Sequence, residues 1–350
     1  MVATATHAMT DVRRGGRAGV IEALPCAAAR GKRPVLAVVL ESLGSTYARV
    51  ADFALFGGSD DQAGWLSGGC LEPDMARHAA RAALVGRIEW IEVDARDDED
   101  VFSGGATGCR GRLRVALLPV DAMPGWDVLC SDWLESGLPL ALTIETGRGR
   151  VVASVGARVR AWTVTMPPVP WAHACAMCWT LHVPAMPAVR VHGAGPETPW
   201  LVPMLQASGW HVTLIEDRSR WLDVARGADR VLEGPASAAA RMRRSADAVL
   251  VMHHNFERDR EALAHVAGEP MIGFIGLLGP ARRRDDPLRT LPAGIVDRLR
   301  DRLHAPVGLL PTHGAEAISL SIALQLQAVA DGLQVTRRAN DDRERVQATM

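Results

Sequence analysis

The apolar positions in the first part of the chain fall into short runs separated by glycine-rich and polar stretches. PVLAVVL (34–40) is a strand-like run that opens the first region, and GSTYARVADFALFGG adds a turn-rich stretch with a second apolar segment. From about Pro73 to Leu84, small and apolar residues recur at helical spacing, with Pro73 suited to the first turn. IEWIEVDA (88–95) and RLRVALLPV (112–120) predict strands on either side of FSGGATGCRG (102–111), a glycine-rich loop. A helix over 126–136 and strands near 138–145 and 150–155 complete an α+β region. Residues 163–189 change character, and proline at their density breaks regular elements. The domain connection is placed there.

From Ala188 the pattern alternates between strand and helix. VRVHGAGPETPWLVPMLQASGWHVTLIEDR reads as strand, glycine turn, helix and a second strand ending at Asp217. DAVLVMHHN, PMIGFIGLLG and APVGLL are further strand candidates with helical stretches between them, a pattern that implies a parallel sheet with helices on its faces. A last helix is expected over roughly 315–331. The fold class is therefore α/β: an N-terminal α+β domain with glycine-rich cysteine loops (1–165), a Pro/Trp/Cys-rich connection (166–187), a Rossmann-like parallel-sheet domain (188–334) and a charged tail (335–350) expected to fray.

The length of 350 residues suits about two domains, and 48% hydrophobic with 23% charged residues is the balance of a globular protein with a core. A formal net charge of -1 argues against bulk nucleic-acid binding. No apolar run reaches the roughly 18 residues a membrane helix needs, and the opening residues lack an apolar h-region. A cytoplasmic location without membrane contact is expected. Lys32 is the sole lysine and precedes the first strand, which excludes a Schiff-base pyridoxal enzyme and a lysine-bearing P-loop. Six cysteines in this length do not make a disulfide framework and read as core residues, metal ligands or reactive thiols.

Gly193-Ala194-Gly195 follows a short strand, the first glycine permitting a tight turn and the second letting a phosphate approach N–H groups at a helix start. Thr198 stands where the dinucleotide fingerprint has its third glycine, Pro203 is expected to kink the helix, and Glu216 or Asp217 is placed to meet a ribose. His253 and His254 close the strand DAVLVM, with Asp259 beyond. Adjacent residues of a strand point to opposite faces, so one histidine reads as structural. Arg282, Arg283 and Arg284 lie near a helix start, suited to a phosphate or to solvent. In the first half, Ser67-Gly68-Gly69-Cys70-Leu71-Glu72 exposes backbone N–H groups and sets a cysteine before a helix. Cys109 lies in a second glycine-rich loop, and two such thiols suit soft-metal or sulfur chemistry if the loops converge. Cys175 and Cys178, flanked by His173 and His182, have metal-ligand spacing but lack a second ligand pair.

These residues resemble the xanthine dehydrogenase accessory proteins of XdhC type, related to the CoxI proteins of carbon monoxide dehydrogenase maturation. The resemblance runs from about Pro34 to Gly332. It rests on Gly44-Ser45, GWLSGGCLE (64–72), Gly108-Cys109, PAVRVHGAGPE, GWHVTLIEDR, VMHHNFERD, IGLLGPARRR and HAPVGL. It implies a carrier that binds the molybdenum cofactor (molybdopterin), supports its sulfuration with a cysteine desulfurase, and delivers it to a xanthine dehydrogenase-like molybdoenzyme. A homodimer and no catalytic residue of its own are also implied. Carried over by position, Ser67, Gly68, Gly69, Cys70, Glu72 and Cys109 form the cofactor loops, with Cys70 and Cys109 as metal ligands. Gly193, Gly195, Asp217, Arg218, His253, His254 and Arg283 form the second-domain contacts. Arg110 replaces a glycine usual after the second cysteine, and Leu310 stands where an aspartate is usual. Two rival readings are an NAD(P)-dependent oxidoreductase with His253 or His254 as acid–base residue, and a module that only bridges desulfurase and client.

Overall fold

The computed structural model describes residues 7–8, 13–57, 61–94, 111–171, 178–280 and 282–347, with side chains described from 13 to 280 and from 285 to 332 within those segments. The chain forms two compact units, Met1–Ala185 and Met186–Met350.

In the first unit the elements are β1 (His7–Ala8), α1 (Gly16–Ala29), β2 (Val35–Gly44), β3 (Phe53–Phe56), β4 (Asp61–Ala63), α2 (Glu72–Val85), β5 (Glu89–Asp94), β6 (Gly111–Pro119), α3 (Trp126–Ser136), β7 (Leu140–Glu145), β8 (Arg150–Val155), β9 (Arg158–Thr163) and β10 (Cys178–Val183). Six strands form one sheet in the order β1-β4-β3-β2-β6-β5, and four form a second in the order β10-β7-β8-β9. Val35 to Leu40 are buried without interruption, so β2 is covered on both faces. Met75, Ala79 and Ala82 of α2, spaced at i, i+4 and i+7, pack on Val35, Ala37 and Val39. That seating holds the start of α2, and the loop before it, at the sheet.

Two elements here depart from the sequence reading. The sequence reading assigned no element to α1, where Val20, Ile21, Leu24 and Ala27 form a buried stripe while Pro25 stays on the exposed side. Strand β10 lies inside the stretch taken as irregular. Trp179, Leu181 and Val183 are buried and Cys178, Thr180 and His182 exposed, so period-2 alternation prevailed over the flanking prolines.

The second unit contains β11 (Ala188–His192), α4 (Thr198–Ala207), β12 (His211–Glu216), α5 (Ser219–Ala225), β13 (Arg230–Glu233), β14 (Ala248–Val251), α6 (Phe256–Ala267), β15 (Phe274–Leu277), α7 (Arg282–Thr290), α8 (Ala293–Leu299), β16 (Leu303–His304) and α9 (Ala315–Gln347). Its six strands are all parallel in the order β13-β12-β11-β14-β15-β16, the Rossmann-like arrangement expected from the alternation. One face packs Val189, Val191, Leu214 and Leu250 against Leu201 and Leu205 of α4 and Ile322 and Leu326 of α9. The other packs Val249, Val251 and Ile275 against Leu263 and Val266 of α6 and Leu299 of α8.

Three boundaries move. The strand assigned to APVGLL lies just before it, at Leu303–His304. The last helix continues past 331 to Gln347, through the tail expected to fray. Helix α4 runs through Pro203 without a break. The consequence for function lies in the strand order. Beyond β11 the chain first builds outward through β12 and β13, then returns to place β14 on its other side. This switch point leaves a crevice at the carboxyl ends of β11 and β14.

Candidate functional site

In the first unit, the loop between β4 and α2 is organised by one serine and one glutamate. Glu72, at the first position of α2, is buried; its Oε1 accepts the N–H groups of Leu66 at 3.0 Å and Ser67 at 2.7 Å. Its Oε2 accepts the Ser67 hydroxyl. The Ser67 Oγ in turn accepts the N–H groups of Gly69 at 3.2 Å and Leu71 at 3.1 Å, and the Cys70 thiol at 3.7 Å. Ser67 and Glu72 therefore brace the loop from within, their oxygens occupied by it. Cys70 remains exposed. A Cβ at Gly68 would meet nothing within 4 Å among the described residues. Cys109 lies outside the described residues, as do Arg110, His173 and Cys175. Cys178 is exposed on β10.

In the second unit, Gly193-Ala194-Gly195 forms the tight turn after β11. Gly193 has φ +89°, and a Cβ there would stand 2.6 Å from the His253 ring. At Gly195 it would stand 3.1 Å from Glu197 Oε2 and 3.2 Å from the His254 ring. At both glycines a histidine ring stands where a Cβ would project. The turn's N–H groups are also bound: Gly193 to the Ile215 carbonyl at 2.9 Å, Ala194 to Glu216 Oε2 at 2.7 Å and Gly195 to Thr198 Oγ1 at 2.9 Å.

Glu216, the last residue of β12, is completely buried, and the strand ends there rather than at Asp217. Its Oε1 accepts the N–H groups of Asp217 at 3.0 Å and Arg218 at 2.8 Å, and both oxygens meet the Arg218 guanidinium. Burial pushes this carboxyl upward, but Arg218 and the Ala194 N–H outweigh it and hold it at about 2. Two further Arg218 donors go to the carbonyls of His253 at 2.8 Å and Ala194 at 2.7 Å. Asp217 lies outside this knot and pairs with Arg258.

The two histidines each take a carboxylate. His253 is 7% exposed, with Nδ1 3.2 Å from Asp259 Oδ1 on α6. His254 adopts the left-handed φ of +54°, uncommon outside glycine, and sets Nε2 3.1 Å from Glu197 Oε2. Burial pushes the Glu197 carboxyl upward, and the His254 contact draws it below its ordinary value. The two histidines, with Ala194, Pro196, Arg218, Arg220, Trp221 and Asn255, line a cleft of about 310 Å³ at the switch point. Among the described residues no cluster of three His, Cys, Asp or Glu side chains has metal-binding geometry. Arg283 is the second residue of α7, and its side chain is not among those described.

Comparison with known proteins follows the same division. Residues 27–93 match the XdhC and CoxI family, and residues 189–326 match the XdhC Rossmann domain, together more than half of the chain. The chain belongs to the XdhC/CoxI family. A protein of Bacillus subtilis (strain 168), described as a probable subunit of xanthine dehydrogenase, is 23% identical over 315 residues, covering 83% of this chain and 92% of that protein. A crystal structure described as a xanthine dehydrogenase from Bacillus halodurans superposes with a TM-score of 0.72 at 25% identity, over 89% of this chain and 96% of that one. Membership of the XdhC/CoxI family implies involvement in xanthine dehydrogenase maturation. No described helix is long and apolar enough to cross a membrane.

The Cys70 loop lies within the first matched segment, and the glycine turn, Glu216 and both histidines within the second. Sequence reading did not find Glu197 as the His254 partner, because the two are 57 positions apart. It also missed the polar side of β11, where Arg190 is buried and bound to Glu269 at 2.6 and 3.1 Å. His192 is fully buried beside it, and burial together with Arg190 holds its imidazole well below the ordinary value. The alternation V-R-V-H carried that signal, but an alternating strand normally turns its polar side to water.

Proposed function

We propose that this XdhC/CoxI protein carries the molybdenum cofactor to a xanthine dehydrogenase-type molybdoenzyme, with Cys70 as the thiol that meets the cargo. A cysteine desulfurase supplies sulfur in this scheme, and the carrier works as a cytoplasmic homodimer. The observation that supports the reading most is the bracing of the Cys70 loop. Glu72 and Ser67 satisfy the loop's polar groups from beneath, while the thiol stays exposed. A soft thiol at an open, preorganised position suits molybdenum or the transfer of sulfur. Cargo leaves such a site more readily than a closed one, as a carrier requires. The NAD(P) reading gains no support from the glycine turn, whose N–H groups are already bound within the protein.

The test is purification from a host that makes the cofactor, followed by assays for molybdenum and for the fluorescence of oxidised pterin. The expected result is roughly one cofactor per chain or per dimer, lost in Cys70→Ala while the fold is retained. Undiminished cofactor content and full client activation by Cys70→Ala would overturn the thiol's role. An empty protein that instead binds a nicotinamide dinucleotide would overturn the carrier reading itself.

A further inference from the structure

Seven of the ten tryptophans are buried, as so large an apolar ring usually is. Trp65, just ahead of the cysteine loop, is 46% exposed. The backbone on either side of it is fixed. Gly64 has φ +79°, and a Cβ there would collide with the Val20 side chain and the Phe53 carbonyl, so the chain is seated tightly against α1 and β3. Leu66 is completely buried, and its N–H is bound to Glu72 Oε1 at 3.0 Å. Trp65 lies between these two anchored residues, and its ring remains in solvent.

The indole also belongs to the surface of the cysteine loop. A Cβ at Gly69 would stand 3.9 Å from Trp65 Cζ3, so the six-membered ring lies beside the residue that precedes Cys70. Of the residues between Trp65 and Cys70, Leu66 and Ser67 are buried, and Gly68 and Gly69 have no side chain. The intervening segment therefore puts no exposed side chain between an exposed flat ring and an exposed thiol. Keeping an indole in water is unfavourable, and a flat heterocycle laid on its face relieves that cost. The molybdenum cofactor has two ends that match the pair: a soft metal with its sulfur ligands, and a pterin, which is flat and electron-poor.

We infer that Trp65 is the stacking platform for the pterin ring of the cofactor, beside the thiol that meets its metal end. This rests on the carrier reading of the Cys70 loop, but it assigns the pterin affinity to a different side chain.

Equilibrium dialysis of the full chain against 6-hydroxymethylpterin, a fluorescent and metal-free probe, measures that affinity. Quenching of the probe's emission reports its contact with an indole. The unsubstituted chain is expected to bind the probe once per chain and to quench it. Trp65→Leu, at an exposed position, keeps an apolar side chain without a ring; it should bind about ten-fold more weakly or worse and lose the quenching. Trp65→Phe keeps a flat ring and should stay within about three-fold of the unsubstituted affinity. Cys70→Ala should bind the probe unchanged, because the probe carries no metal. No binding by the unsubstituted chain at millimolar concentration would overturn the platform. So would equal affinities of Trp65→Leu and the unsubstituted chain, or of Trp65→Phe and Trp65→Leu. The molybdenum content of the purified protein checks the carrier reading separately. A chain that binds the probe through Trp65 but carries no molybdenum keeps the platform and loses the carrier. A loaded chain whose Trp65→Leu variant keeps all its molybdenum and pterin loses the platform alone.

Discussion

The two glycine-rich turns of this protein look alike as sequence and are opposites as structure. Around Cys70, the internal carboxylate and hydroxyl hold the loop from one side and leave the thiol and Gly68 open on the other. Around Gly193, the internal groups close the turn from every side. A buried glutamate takes the Ala194 N–H, a threonine hydroxyl takes the Gly195 N–H, and two histidines fill the space a Cβ would need. Glycine supplies freedom of backbone approach, but only the surrounding side chains decide whether a ligand or the protein itself makes use of it.

The sharpest way to break this comparison is to give each turn a methyl group. Gly193→Ala combines φ +89° with a Cβ 2.6 Å from the His253 ring. It is expected to cost about 3 to 5 kcal/mol, read from the shift of the urea midpoint. Gly68→Ala meets nothing within 4 Å and has ordinary φ, so its cost should stay below about 0.5 kcal/mol. Equal costs would show that the two turns are not differently packed.

Glu216 comes next. Its carboxyl is held at about 2 against an ordinary 4.5, so the folded state favours the charged form. That contribution, about 3 kcal/mol, is fully present above pH 4.5 and is lost as pH falls from there toward 2. Glu216→Gln should lower stability by about 3 kcal/mol at neutral pH and flatten the acid limb of the stability profile. A profile that keeps its full slope in the variant would place the acid sensitivity elsewhere.

Ser67→Ala has a smaller effect than Gly193→Ala or Glu216→Gln. It removes the acceptor of the Gly69 and Leu71 N–H groups and the donor to Glu72. The expected cost is about 2 kcal/mol, with faster thiol alkylation at Cys70 as the loop loosens. Unchanged stability and alkylation would mean that Glu72 alone sets the loop.

Much of the fold was legible because period and punctuation agree along the chain. The alternation of strands and helices after Ala188 implied a parallel sheet, and the helical stripe before Leu84 located α2 behind the cysteine loop. Where the two signals conflicted, the hydrophobic period prevailed. Pro25 lies on the exposed side of α1, and β10 alternates between flanking prolines. Of the candidate site, Cys70, Gly193, His253 and Arg218 were visible as residues, but the internal hydrogen bonds that hold Arg218 and His253 were not.

The sequence alone determined the order of elements, the parallel second sheet and the chemical groups available: an open-loop thiol, a glycine turn, paired histidines and many arginines. Tertiary structure decided which of those groups are satisfied internally. Glu197 reaches His254 across 57 positions, and Arg218 closes Glu216 against the turn. Arg220 has no carboxylate partner among the described residues and rests over the Trp221 ring. Side-chain type and local period follow from the chain, whereas hydrogen-bond satisfaction is a property of what surrounds a group in space, and chain order does not encode that directly.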